Sequence, residues 1–314
     1  MGSDFGSIRV IIQYHTAYHL LMAIAEYDIE GKEGEFLLLG PENEFSCRLI
    51  ERGVRHIDVD CRGVRDIPSL FFKRRTLGVT IVGPFIIPYR ALRFCREQGI
   101  SVKSIIRTDE GVGSFSDFWH IYNSVLLASA FKSKARAFLY SVLFQLQKSY
   151  ARFVLRSRCH FLFQNDGALN ECKRKKATFF LEKIANRNEL DGHCVFVTQP
   201  FLSNNFFGAN EYADFVRRVG EKVGGGRELV VKVHRDDHFD YKAHGFLVSS
   251  SEALELFELN DSVVIGVGST ALLSAKLLRR CQQVFYVPLP IGHTGMSQFC
   301  KDIFSQYLER LPCP

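Results

Sequence analysis

An alternation constrains this chain more than any other feature. Short β-branched runs recur between stretches that carry the 3.6-residue spacing of amphipathic helices, and they do so in two separate series. In the first, Ile8–Gln13, Glu35–Leu39, Val54–Val59, Gly78–Val82 and Val102–Arg107 read as strands, with helices over 16–29, 44–53 and about 88–99 between them. The second starts with a strand at Cys194–Thr198. It continues through a helix at 210–223, a glycine break at 224–226, the strand Glu228–Val233, a helix at 251–259, the strand Ser262–Val267, a helix from 269 and the strand Gln283–Val287. Strands alternating with helices of this length specify βαβ units and a mostly parallel sheet. Two such series predict an α/β chain of two Rossmann-like domains facing each other across a cleft. The polar, basic stretch Cys172–Asp191 reads as the linker, so the expected domains are 1–185 and 186–314. A length of 314 residues suits two domains.

Between the series lies a long apolar block at 115–157, compatible with helix and carrying basic residues from Lys132 to Arg156, followed by an expected strand at Cys159–Phe163. The chain contains 40 Lys+Arg against 34 Asp+Glu, a net charge of +6 that is too small to indicate nucleic acid without clustering on one face. No recognition motif mixing aromatic and basic residues is present, and no nucleic-acid partner is expected. Apolar residues make up 46% and charged residues 24%, which excludes a disordered or low-complexity chain. The nine cysteines are scattered without a Cys-x-x-Cys pair, the pattern of reduced thiols in a cytoplasmic protein. No secretory signal pattern is visible, and no run approaches the ~20 apolar residues of a membrane helix. The most apolar stretch, Thr80–Tyr89, is interrupted by Pro84 and Pro88.

Ligands of open α/β sheets bind beyond the carboxyl ends of the strands, and three polar clusters fall at such ends. Asp109-Glu110-Gly111 follows the strand 102–107. A carboxylate here can take a proton from an acceptor hydroxyl; the plainer alternative is that both acids cap the next helix. Lys232-Val233-His234, with further charges to His238, ends the strand 228–233. A histidine at a strand exit can donate a hydrogen bond to a phosphate, with Lys232 or Arg235 adding charge, and the alternative is a loop of solvated charges. His234 and His238 have a metal-binding spacing only on a helix, so no metal is expected.

The third cluster is Gly266-Val267-Gly268-Ser269-Thr270, where an apolar strand turns into a helix opened by two hydroxyl residues. Free backbone N–H groups and the helix dipole make such a turn an anion site. Gly266, Gly268 and Ala271 satisfy the G-x-G-x-x-A dinucleotide pattern. However, Gln283–Val287 carries no acid to hold a ribose, and the pattern falls outside the first βα turn, so a phosphate or carboxylate pocket is read instead. A tight helix start is the alternative. Thr198 and Gln199, closing the first strand of the second series, can meet a nucleoside base or ribose. His15 and His19 are candidates for the acceptor side, with plain core or surface positions as the alternative.

In this order the clusters resemble the bacterial sialyltransferases of GT-B architecture, particularly the lipooligosaccharide and capsule sialyltransferase families. The family's acidic motif is matched by Asp109-Glu110-Gly111 and its hydroxyl pair by Ser269-Thr270. Its His-Pro motif is matched by His234 alone, because Arg235 stands where the family has proline. His15 to Ala23 is similar to the family's opening strand-to-helix segment, and Thr198-Gln199-Pro200 to the segment that opens its nucleotide-binding domain. The likeness spans positions 8 to about 275.

It implies an inverting, cofactor- and metal-independent transfer of sialic acid from CMP-sialic acid to a hydroxyl of a cell-surface glycan. By the same resemblance Asp109 is the general base, His234 meets the CMP phosphate, and Ser269 and Thr270 bind the phosphate or the donor carboxylate. From their own positions Glu110, His15 and His19 are expected on the acceptor side, and Lys232, Gly268, Thr198 and Gln199 on the donor side. A lipid-linked acceptor would place the enzyme on the inner face of a bacterial cytoplasmic membrane, with the basic block 115–157 against the lipid. The competing readings are transfer of another CMP-activated acid sugar such as Kdo, a UDP-sugar-dependent GT-B enzyme, and a non-catalytic basic module.

Overall fold

The computed structural model describes residues 6–29, 31–61, 77–109, 118–127, 133–161, 168–184, 187–199, 208–234, 237–250, 252–279, 281–288 and 298–312. Two compact units form, one from residues 1–114 with 143–177 and the other from 115–142 with 178–314.

The first unit is built on a six-stranded parallel sheet of β1 (Val10–Gln13), β2 (Phe36–Leu39), β3 (Arg55–Ile57), β4 (Val79–Gly83), β5 (Val102–Arg107) and β6 (Arg158–Cys159). Its spatial order is β3-β2-β1-β4-β5-β6. Helices α1 (Ala17–Glu26), α2 (Glu44–Glu51) and α3 (Tyr89–Glu97) connect the early strands. Every residue of β1 and β2 is buried, as expected of parallel strands covered on both faces. One core cluster packs Ile11, Leu37, Ile81 and Ile105 of the sheet against Leu92 and Cys95 of α3.

Three helices follow in the middle of the chain: α4 (Phe118–Leu127), α5 (Lys134–Phe153) and α6 (Ala168–Ile184). The second sheet, in the second unit, comprises β7 (Cys194–Val197), β8 (Leu229–Lys232), β9 (Leu247–Val248), β10 (Val263–Gly266), β11 (Gln283–Tyr286) and β12 (Glu309–Arg310). All its pairings are parallel, in the order β12-β11-β10-β7-β8-β9. Helices α7 (Ala209–Gly224), α8 (Thr270–Leu277) and α9 (Gln298–Tyr307) complete it. Its core joins Phe196, Val231 and Ile265 to Tyr212, Phe215 and Val216 of α7.

Counted within its own unit, each sheet has the order 3-2-1-4-5-6, the doubly wound Rossmann order. The expected α/β class with two Rossmann-like domains is therefore observed. Three local expectations are corrected. The expected linker Cys172–Asp191 is mostly the helix α6: Ala177, Phe180 and Leu181 form a buried stripe with Lys173, which pairs with Glu26 at 2.7 Å, and Lys175, Lys176 and Lys183 lie on the exposed face. The expected helix at 251–259 is a single 3-10 turn, Leu254–Leu256, followed by a bridge from Phe257 to Arg187. Of the strand expected at 159–163, Cys159 pairs in a strand with Arg158, His160 and Phe161 lie past its end, and residues 162–163 fall outside the described residues. The pairing that makes β9 and β12 strands is only two residues long in each case, too short for a periodicity to show.

Candidate functional site

A crevice forms in a doubly wound sheet where the strand order reverses, between its first and fourth strands. In the first unit that point lies between β1 and β4, and in the second between β7 and β10. Most of the residues singled out from sequence lie at or one strand away from these two points, at the carboxyl edge.

At the first edge, β1 ends in Gln13, whose buried side chain accepts from Ala91 N–H at 2.9 Å and so closes the first turn of α3. Tyr14 follows, fully buried, with its hydroxyl 3.2 Å from His56 Nε2; burial pushes its phenol up to about 12. His15 and His19 are both half-buried. The His19 backbone N–H donates to Thr16 Oγ1 at 3.2 Å, the cap of α1. Its ring meets Phe85, just past β4, edge-on at 6.3 Å between centroids, so the two side chains bracket the switch point.

Asp109 lies beyond the end of β5, one strand further along, and is 1% exposed. The chain there is tied to the neighbouring strand by Thr108 N–H donating to Gly83 C=O at 3.0 Å. Glu110, its expected partner on the acceptor side, lies outside the described residues.

The sequence reading passed over Arg107. It is 6% exposed, and its guanidinium lies 5.6 Å from the Phe161 ring centroid. Its Nε and Nη2 have no hydrogen-bond partner among the described residues, and neither has the adjacent Thr108 hydroxyl. A buried guanidinium with open donors is suited to an anion. The signal was available, since a strand ending Arg-Thr-Asp brings a cation to the same edge as the acid.

The second edge is more closely tied together. Thr198, fully buried, follows β7, and its Oγ1 accepts the backbone N–H of His234 at 2.8 Å. The His234 carbonyl in turn accepts from Asp237 N–H at 2.8 Å. Asp237 is itself anchored: its carboxylate accepts from the Tyr241 hydroxyl at 2.7 Å and from Phe239 N–H at 3.2 Å, and Tyr212 meets Tyr241 at 3.0 Å. Burial pushes both phenols well above their ordinary range, so they remain neutral donors. Half-buried His234 is thus carried on a backbone held on both sides.

The turn after β10 lies beside Thr198, because Gly266 pairs with Val197 in the sheet register. Gly268 adopts φ +64°, a left-handed conformation that suits glycine. Ser269 caps α8, its Oγ accepting from Ala271 N–H at 3.3 Å, and half-buried Thr270 begins the helix. Together these put a helix N-terminus, two hydroxyls and an imidazole at the ends of the adjacent strands β10, β7 and β8. Gln199 is half-buried next to Thr198.

Lys232 is engaged elsewhere. It is 6% exposed, its Nζ donates to Ser250 C=O at 3.1 Å, and it lies 6.0 Å from the Phe257 ring centroid. Its electrostatic neighbour is Glu255, a fully buried carboxyl that desolvation pushes above the usual carboxylate range, while Ser274, Lys232 and Arg279 pull it down. Among the described residues, no group of three or more His, Cys, Asp or Glu side chains is arranged to hold a metal ion.

No family model and no curated protein matches the chain. Solved structures do resemble it over nearly its full length. An α/β-galactoside α-2,3-sialyltransferase from Photobacterium phosphoreum aligns at 12% identity and a TM-score of 0.48, covering 96% of this chain and 98% of that one. A UDP-GlcNAc 2-epimerase from Methanocaldococcus jannaschii, in complex with UDP-GlcNAc and UDP, aligns at 10% identity and a TM-score of 0.49 over 97% and 88%. The glycosyltransferase SnogD from Streptomyces nogalater aligns at 12% identity and a TM-score of 0.43 over 98% and 87%. At these scores the α/β assignment rests on the two strand orders of the chain itself.

Proposed function

We propose that the chain is an inverting glycosyltransferase of GT-B type that moves sialic acid from CMP-sialic acid to a hydroxyl of a lipooligosaccharide or capsule glycan. The acceptor oxygen attacks the anomeric carbon of the donor as its proton passes to Asp109. The bond between that carbon and the phosphate oxygen breaks, and its electron pair leaves with CMP. The departing phosphate monoester gains negative charge. His234 donates to it, while the N-terminus of α8, with Ser269 and Thr270, offsets the charge. Thr198 keeps the His234 backbone in place. A lipid-linked acceptor puts this chemistry at a membrane surface.

The observation that carries this proposal is the clustering of His234, Thr198 and the turn Gly268-Ser269-Thr270 at the switch point of the second sheet. That constellation is suited to one phosphate rather than to a dinucleotide. The test is thermal unfolding in the presence of CMP, UDP, GDP and NAD, followed by transfer assays with CMP-sialic acid and CMP-Kdo. A ligand at about 100 times its Kd adds ~2.7 kcal/mol to stability. CMP is expected to raise the midpoint and UDP to leave it unchanged. Stabilisation by UDP alone would replace this reading with that of a UDP-sugar enzyme.

A further inference from the structure

Helix α5 is packed in the opposite sense from an ordinary surface helix. It buries its small residues, Ala137, Ser141 and Ala151, packs Phe144 and Tyr150 partly buried against the first core, and leaves five other large apolar side chains exposed. Leu139 is 58% exposed, Leu146 60% and Phe153 71%, with Phe138 and Leu143 also exposed. At 100° per residue these five side chains fall within a sector of about 140°. The basic residues Lys134 and Arg152 border that sector on one side and Arg136 on the other, while half-buried Lys148 lies further round, over the Phe144 ring. Trp119 of α4, 64% exposed, extends the apolar face, since Phe118 touches both Trp119 and Phe138, with ring centroids 5.2 and 5.4 Å apart.

Folding does not account for this arrangement, because burying the large side chains would stabilise the helix more than burying alanines does. Exposed apolar faces of this size mark interaction surfaces. Charge selects the partner. From Phe118 to Phe161 the sequence contains seven Lys and Arg and no Asp or Glu. A second copy of the chain would bring like charges together. A surface that is both anionic and apolar complements the face throughout, and an aromatic and leucine stripe bordered by lysine and arginine is the pattern of helices lying in a lipid interface. Among the described residues no helix is long and apolar enough to cross a membrane, which leaves contact in the plane of the surface.

We infer that the exposed face of α5, with Trp119, docks on the surface of an anionic lipid bilayer. This deepens the membrane-facing part of the proposed function and does not depend on the donor nucleotide.

Trp119 is the single tryptophan of the chain, so its fluorescence reports on this face alone. The experiment mixes the full chain with vesicles of phosphatidylcholine, with and without phosphatidylglycerol, in the absence of nucleotide. Expected are co-sedimentation with the anionic vesicles at low salt, release at high salt, and a shift of Trp119 emission to shorter wavelength. Leu139→Ser with Leu146→Ser should abolish the emission shift. Lys134→Gln with Arg136→Gln should weaken binding roughly tenfold or more, since each basic residue near an anionic surface contributes ~1 kcal/mol. All four positions are exposed, and an unchanged melting midpoint shows that the variants are folded. No sedimentation with anionic vesicles at low salt would overturn the inference. So would binding without an emission shift, or a dimer in the ultracentrifuge that Leu139→Ser dissociates. CMP-induced stabilisation, measured without vesicles, tests the catalytic reading separately.

Discussion

The two sheets solve one geometric problem in the same way and then diverge. In each, the fourth strand ends in a glycine set against the last residue of the first strand: Gly83 of β4 against Gln13, and Gly266 of β10 against Val197. A Cβ at Gly83 would fall 2.2 Å from the Gln13 carbonyl oxygen, and one at Gly266 would fall 2.9 Å from the Val197 oxygen. Both switch points thus need a bare backbone to close the sheet where the winding reverses. The side chains beyond that shared frame differ. The first edge carries buried groups of opposite charge, Asp109 and Arg107, beside half-buried histidines. The second carries a histidine held through its backbone, a hydroxyl cap and a helix N-terminus. The same strand order thus carries different side chains at its two carboxyl edges, so what distinguishes the units lies in the edges and not in the fold.

The sharpest way to break this division is Asp109→Ala. General base catalysis supplies about 10²–10⁴-fold, so turnover should fall at least a hundredfold while CMP still raises the melting midpoint by the wild-type amount. His234→Ala should lower both turnover and CMP stabilisation. If Asp109→Ala weakened CMP binding and left turnover intact, the roles of the two edges would be reversed.

The frame itself is tested by alanine at the paired glycines. Overpacking of this kind costs about 1–3 kcal/mol, and Gly83→Ala belongs at the upper end because its clash is with backbone and is deeper. Gly266→Ala meets its backbone oxygen at 2.9 Å and otherwise the flexible end of Leu272, at 3.3 Å. It should cost less, and chemical denaturation of the two variants reads the difference. Equal losses would mean that the second switch point is as tight as the first.

The frame was legible in the sequence and its edges only in part. Alternating strands and helices announced both sheets, because β1, β2, β7 and β10 are four-residue runs buried throughout. The motifs after β7, β8 and β10 were visible as polar clusters at strand ends, and the structure brings Thr198, His234 and Ser269 to neighbouring strand ends in one sheet. What the sequence hid is direction. Lys232 looked like a phosphate ligand, yet its amine turns to Ser250 and Glu255, a partnership set by chain folding over some twenty residues of separation. Asp237 stood among solvated loop charges, yet it is buried and fastened to Tyr241. Helix α6 was hidden by its basic composition, which masked a narrow stripe of buried residues. Periodicity reports which face is wet; it does not report which polar group finds a partner inside.

The second edge also contains the smallest effect, in the buried pair of Glu255 with Lys232. Burial holds the Glu255 carboxyl above its ordinary value of 4.5, so the folded chain keeps this proton to a higher pH than the unfolded chain does. Between those two values the native state binds more protons, and stability therefore falls as pH rises through the window just above 4.5. Glu255→Gln replaces the group with one that stays neutral. The variant should lose this slope and gain stability relative to wild type toward neutral pH, by about 1.4 kcal/mol for each unit that the carboxyl is raised. Urea midpoints measured from pH 4 upward check this. If Lys232 and Arg279 outweighed burial and kept the carboxyl ionised, the opposite would be seen. Glu255→Gln would then be less stable at every pH above the ordinary carboxylate range, because it would leave the Lys232 ammonium buried beside a neutral amide.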